Sequence, residues 1–191
     1  MRRAVLLGGL IGGVVLFIWG MVSYMLLPWH TATLDKFTNE SAMAQTLSAQ
    51  APRSGMYILP NPHRYDPTLT AEQRKTAEDE AMTRMMQGPF LFAAVSLHGA
   101  RDMGLALVLN LLANMLAAGL VTWLLLKTTG LSYGGRVGFV VVLAFTTCLI
   151  AYVPYWIWWG FSGSFTAVEF ADHMIGWGLT GLAIARYAAT S

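Results

Sequence analysis

Three acidic or histidine side chains stand inside the last apolar run of this chain: Glu169, Asp172 and His173, all in the first two turns of residues 165–187. Ionisable groups within a membrane span are costly and mark a functional site by default. His30 follows the first apolar run, while His98 and Arg101 precede the second, so a simple topology puts all of them at a similar depth. A histidine and carboxylate cluster there suits Zn, Cu or a haem iron, or a proton relay. No two of these histidines have a short ligand spacing, however, and only the assumed depth unites His30, His98, Asp172 and His173 as metal candidates. No cofactor is therefore assigned. A network tying Asp172 to Arg101 or His98 is the plainer expectation, because buried charges require partners.

Glu169 has a structural reading of its own. Thr166 and Glu169 match the S/T-x-x-E capping box, and Phe165 with Phe170 matches the hydrophobic staple, so the pair is expected to cap the last helix. Met82, Met85 and Met86 resemble a soft Cu(I) site only loosely and suit a core or docking face better. No nucleophile elbow, P-loop, G-x-G-x-x-G or H-E-x-x-H occurs, so no catalytic residue is assigned and an enzyme is not expected.

The elements that must position these residues are membrane helices. The chain is 55% hydrophobic and 12% charged, against about 25% charged in ordinary soluble domains. Residues 4–27 carry no charge, and about 20 apolar residues cross a hydrocarbon core. This run is longer than the about 7 to 15 residues of a cleaved signal core, so it reads as an uncleaved signal anchor. Residues 104–126, 137–159 and 165–187 are three further apolar runs. The expected fold is an all-α membrane domain of four transmembrane helices, divided as 1–30 (helix 1), 31–102 (a small α/β periplasmic cap) and 103–191 (helices 2–4).

Polar composition marks the cap, since residues 31–102 hold eight of the ten acidic side chains. Its expected order is a helix from Asn39 to Gln50, a strand over 55–59, turns at Pro60, Pro62 and Asp66, a helix opened by Thr70 and Gln73, and a strand over 90–97. The short intervening segments between the later spans contain Lys127 and Arg136, and the ends carry Arg2, Arg3 and Arg186, with no acid among them. By the positive-inside rule both termini are cytoplasmic, and Trp29, Tyr155, Trp156, Trp158 and Trp159 are expected as interface anchors on the far side.

Within the spans, Gly8 with Gly12 and Gly9 with Gly13 form overlapping G-x-x-x-G pairs, which let another helix approach closely. Gly181 is expected to pack in the same manner, and Asn110 and Asn114 to bond across to neighbouring helices. Scattered basic residues and a formal charge of +2 give no nucleic-acid footprint. The single cysteine, Cys148, makes no internal disulfide.

The stretch from Gly12 to Gly20 and on through Leu27-Pro28-Trp29-His30 resembles a group of small bacterial four-span integral membrane proteins. Phe37-Thr38-Asn39-Glu40, Met56-Tyr57-Ile58-Leu59-Pro60 and Gly88-Pro89-Phe90 share that resemblance. It covers mainly the first half and implies a bacterial inner-membrane location, with no activity. Glycine seams, an aromatic rim, available strand edges and the lack of a catalytic constellation then point to a non-catalytic accessory or scaffold subunit of a larger assembly. Its partners would be the bilayer and other membrane subunits. A metal- or haem-handling protein and a small oligomeric transporter or channel are the alternatives.

Overall fold

The computed structural model describes residues 2–61 and 67–187; the turn signals at Pro62 and Asp66 lie outside them. Helix α1 (Arg2–Met21) runs into a π-helical turn (Val22–Leu26) and then a 3-10 turn (Thr31–Thr33). There follow α2 (Glu40–Gln50), β1 (Gly55–Leu59), α3 (Ala71–Gln87), β2 (Leu91–Val95), α4 (Met103–Leu125), α5 (Tyr133–Ala151), α6 (Val153–Trp158) and α7 (Gly163–Ile184). Among the described residues, 2–26, 103–125 and 133–158 are long and apolar enough to cross a membrane. Three such stretches stand where four were expected. The 22 residues of α7 match the others in length, but Glu169, Asp172 and His173 lower its hydropathy.

Tertiary contacts divide the chain into two compact units. Residues 31–35, expected in the cap, belong to the helical unit, whereas 157–160 belong to the smaller one with 36–100.

In the helical unit the glycines of α1 form its face toward α4. A β-carbon on Gly12 would stand 2.7 Å from Ala118 Cβ, one on Gly9 2.9 Å from the Met115 carbonyl oxygen, and one on Gly13 2.6 Å from Met115 Cα. Gly8 meets Thr122 as closely. Apolar surface gains nothing by leaving lipid for protein, so close backbone approach and dispersion must hold these helices together. A β-carbon on Gly176 would stand 2.8 Å from Trp19 Cδ1, and one on Gly181 3.2 Å from Val140 Cβ of α5, so α7 lies close against both. Leu125, Val140 and Ile184 form a buried knot where α4, α5 and α7 meet.

Asn110 and Asn114 do not bond across to these helices. The side of α4 that meets α1 carries Met115, Ala118, Gly119 and Thr122, and at 3.6 residues per turn Asn110 lies roughly 140° around the helix from Met115. It is exposed and Asn114 half-buried, and neither amide has a hydrogen-bond partner among the described residues. The third apolar run is also broken, since α5 ends at Ala151 and α6 begins at Val153. Pro154 has no N–H to continue the ladder and crowds the carbonyl four residues back.

The smaller unit is built on an antiparallel pair in which Gly55 faces Val95 and Leu59 faces Leu91. Phe92 stacks on Trp159 with ring centroids 4.4 Å apart. That indole, expected as a bilayer anchor, packs inside this unit. Helix α3 opens with a capping box in which Gln73 N–H donates to Thr70 Oγ1 at 3.2 Å and Thr70 N–H to Gln73 Oε1 at 2.9 Å. Asn39 Oδ1 caps α2 by accepting from Ala42 N–H at 2.9 Å.

Candidate functional site

Gly12, Leu16, Trp19 and Ser23 recur at helical spacing, and the first three contact α7 through Gly176, Thr180 and Ile184. Ser23 falls in the π-helical turn, where Leu27 N–H donates to Val22 O at 3.2 Å, a bond five residues back. Such widened turns occur frequently at functional sites. Pro28 then ends the ladder, and a compact reversal follows: Ala32 N–H and Thr31 Oγ1 both donate to Pro28 O at 2.9 Å, and Thr33 Oγ1 donates to His30 O at 2.8 Å. This returns Trp29 and His30 over Ser23.

Helix α7 supplies the carboxylates. Ser162 is its N-cap, accepting from Phe165 N–H at 3.1 Å. Thr166 lies inside the helix with Oγ1 donating to Ser162 O at 3.0 Å, so the expected Thr166–Glu169 box does not form. The helix begins one turn earlier than that box requires because Ser162 captures the first free N–H groups. Glu169 is thereby released to act elsewhere, and with Asp172 three residues on it faces the π-helical turn.

Around Ser23 the polar atoms close into one network. Ser23 Oγ donates to Asp172 Oδ1 at 2.5 Å and lies 3.0 Å from His30 Nε2. Trp29 Nε1 donates to Ser23 Oγ at 3.0 Å, and Trp19 Nε1 donates to Asp172 Oδ1 at 2.8 Å. His30 Nδ1 stands 3.2 Å from Glu169 Oε1, and its Nε2 is 3.9 Å from Asp172 Oδ1. Tyr24 stacks on the imidazole with centroids 3.7 Å apart and an interplanar angle of 10°, while its hydroxyl donates to Glu169 Oε1 at 3.3 Å. Ser23 is 0% and His30 6% exposed.

Of the residues marked in the sequence, His30, Glu169 and Asp172 are thus brought together. Asp172 bonds to Trp19 and Ser23 and approaches His30, rather than Arg101 or His98. His173 turns away from it, with Nδ1 3.5 Å from the Tyr152 hydroxyl and its ring beside Trp177. Successive helical residues point about 100° apart, which explains the divergence. His98 is exposed in the smaller unit. The described residues contain no group of three His, Cys, Asp or Glu side chains able to hold a metal. The two nitrogens of His30 diverge toward different carboxylates, whereas a metal at about 2 Å needs lone pairs that converge.

Ser23, Trp19 and Tyr24 were overlooked in the sequence. Their signal was available, since Trp19 and Ser23 continue the stripe that begins at Gly12. The sequence of contacts from Ser23 Oγ to His30 Nε2 and from His30 Nδ1 to Glu169 has the order of a charge relay. Ser23 nevertheless directs its hydrogen at Asp172 and is sealed beneath Trp29, so no carbonyl reaches it from outside. The arrangement fastens the end of α1 to α7. No protein-family model, curated protein or solved structure matches the chain.

Proposed function

We propose that the protein is a non-catalytic integral membrane accessory or scaffold subunit of a larger bacterial inner-membrane assembly. In this reading α7 is a fourth span, both termini are cytoplasmic and residues 31–102 face the periplasm. The 22 residues of α7 extend about 33 Å at 1.5 Å each, enough for a core about 30 Å thick. Its carboxylates, Glu169 and Asp172, are engaged with α1 and the turns that follow, and His173 faces Tyr152.

The observation that carries the assembly role is the outward amide face of α4. Asn114 lies about 16 Å from the start of α4, near the middle of a core about 30 Å thick. An amide there without a partner is unfavourable, and a polar or small-residue face on another helix relieves it. Ala106, Ala113 and Ala117 share this face with Asn110 and leave room for a close neighbour. The two-stranded sheet, whose strands pair only with each other among the described residues, offers a second surface for strand addition.

Purification in mild detergent from the native source tests the proposal. A stable partner or a higher oligomer is expected, and it should be lost when Asn110 and Asn114 are both replaced by Leu. Wild-type protein eluting alone as a monomer would refute it.

A further inference from the structure

Beside the glycine seam, α1 carries a second stripe. Ile11, Val15, Ile18 and Val22 recur at spacings of three and four and so share a face. With Leu179 and Leu182 of α7 they line an open groove of about 670 Å³. Ile11 to Val22 spans about 16 Å, close to half of a hydrocarbon core about 30 Å thick, so the groove has the depth of one leaflet. The single charged side chain on its lining is Arg186, accompanied by Tyr133 and Tyr187.

Contacts within the helical unit fix which end Arg186 occupies. Thr122 of α4 fills the space that a β-carbon on Gly8 of α1 would need. The Tyr133 hydroxyl donates to Leu182 O at 2.8 Å, and Arg136 Nη1 donates to Ala185 O at 3.2 Å. The start of α1, the end of α4, the start of α5 and the end of α7 therefore lie together. Residues 2–10, 122–136 and 180–187, which make up that end, contain Arg2, Arg3, Lys127, Arg136 and Arg186 and no Asp or Glu. Arg136 is engaged with the backbone, and Lys127 Nζ lies 5.5 Å from the centroid of the Trp123 ring. Arg186 is exposed and makes no hydrogen bond or ion pair among the described residues.

We propose that this groove holds one anionic phospholipid from the leaflet on the side of the α1 N-terminus. An acyl chain lies between the stripes of α1 and α7, and Arg186 binds the phosphate. A guanidinium presents paired N–H donors that match phosphate oxygens, and tyrosine rings are favoured at headgroup depth. Basic pockets between membrane helices on the cytoplasmic side take anionic headgroups for these reasons. The Tyr133 hydroxyl is already committed to Leu182, so its ring shapes the mouth and Arg186 supplies the ionic contact. A zwitterionic lipid offers the same chains, but its own cation cancels the charge that this acid-free end attracts. The inference rests on α7 as a span and goes beyond the assembly role, since the lipid is held within one chain.

The test is lipid binding to delipidated protein in mild detergent, read by native mass spectrometry with phosphatidylglycerol and phosphatidylcholine of identical chains. Wild type should hold one phosphatidylglycerol per chain about fivefold more tightly than phosphatidylcholine, the contribution expected of one basic residue. Arg186→Gln should erase that preference. Leu179→Trp, which fills the groove and leaves the arginine in place, should weaken both lipids. Lys127→Gln removes a charge from the same end outside the groove and should keep the preference. Equal affinity of wild type for the two lipids would overturn the proposal, as would a preference that survives Arg186→Gln or undiminished binding in Leu179→Trp. An equal loss in Lys127→Gln would also overturn it, because attraction would then be diffuse. Inorganic phosphate at matched ionic strength should not displace the lipid; displacement would mean a free-anion site instead. A cysteine at Tyr187, reactive with an impermeant thiol reagent only after permeabilisation, tests α7 as a span by itself, so failure of the groove and failure of the span are told apart.

Discussion

Ser23 and Asp172, 149 positions apart in the chain, meet through a hydrogen bond of 2.5 Å that ties the end of α1 to α7. Removing the hydroxyl leaves a His30 nitrogen without its partner and takes one donor from Asp172, while the Trp29 indole N–H keeps its 3.2 Å bond to the Ser23 carbonyl oxygen. Ser23→Ala is therefore expected to cost about 1–3 kcal/mol, the penalty for orphaned buried polar groups. Thermal unfolding in detergent should show a lower midpoint. An Asp172→Asn change combined with it should cost less than the sum of the two single changes, because both disrupt one network.

The glycines of α1 should differ sharply in tolerance. Gly13→Val would drive side-chain atoms into the Met115 backbone, whereas a β-carbon on Gly20 has nothing within 4 Å. Gly13→Val should separate α1 from α4 and lower yield and thermal midpoint, while Gly20→Ala should leave both unchanged. A disulfide trap between α1 and α4 reports the separation directly.

In the smaller unit, Trp159→Ala should loosen the strand pair by removing the ring that stacks on Phe92. Such aromatic pairs contribute about 0.5–1.5 kcal/mol beyond the area they bury. The neighbouring Trp158 is 73% exposed, so Trp158→Ala serves as a control. Hydrogen exchange across β1 and β2 should quicken in the first variant and not in the second.

Single cysteines can read the proposed topology. One at Lys75, exposed in α3, should react with a membrane-impermeant thiol reagent added from the periplasmic side. One at Gly134, exposed at the start of α5, should react only after permeabilisation. The native Cys148 is buried and should stay silent in both cases.

The sequence by itself determined the solvent. Uncharged runs such as residues 4–27 can satisfy their backbone polar groups in lipid only as helices, so length and apolarity suffice to place them. Local chemistry was equally legible in the smaller unit, where Thr70 and Gln73 close their box within three residues. Their partners are chain neighbours, and no distant contact competes for them.

Tertiary structure decided what depends on which face meets which helix. Thr166 and Glu169 fit a capping pattern, yet Ser162 took the cap and His30 took Glu169, a partner 139 positions away that no local rule contains. Asn110 and Asn114 share a stripe in any helical projection. Only the seam of Gly9, Gly13, Met115 and Gly119 turns that stripe away from α1. Ser23 carries no signal alone. It became the centre of the site because a widened helical turn and the reversal after Pro28 laid the Trp29 indole and the His30 imidazole over one hydroxyl, and because Gly176 let α7 come close enough for Asp172 to receive its hydrogen.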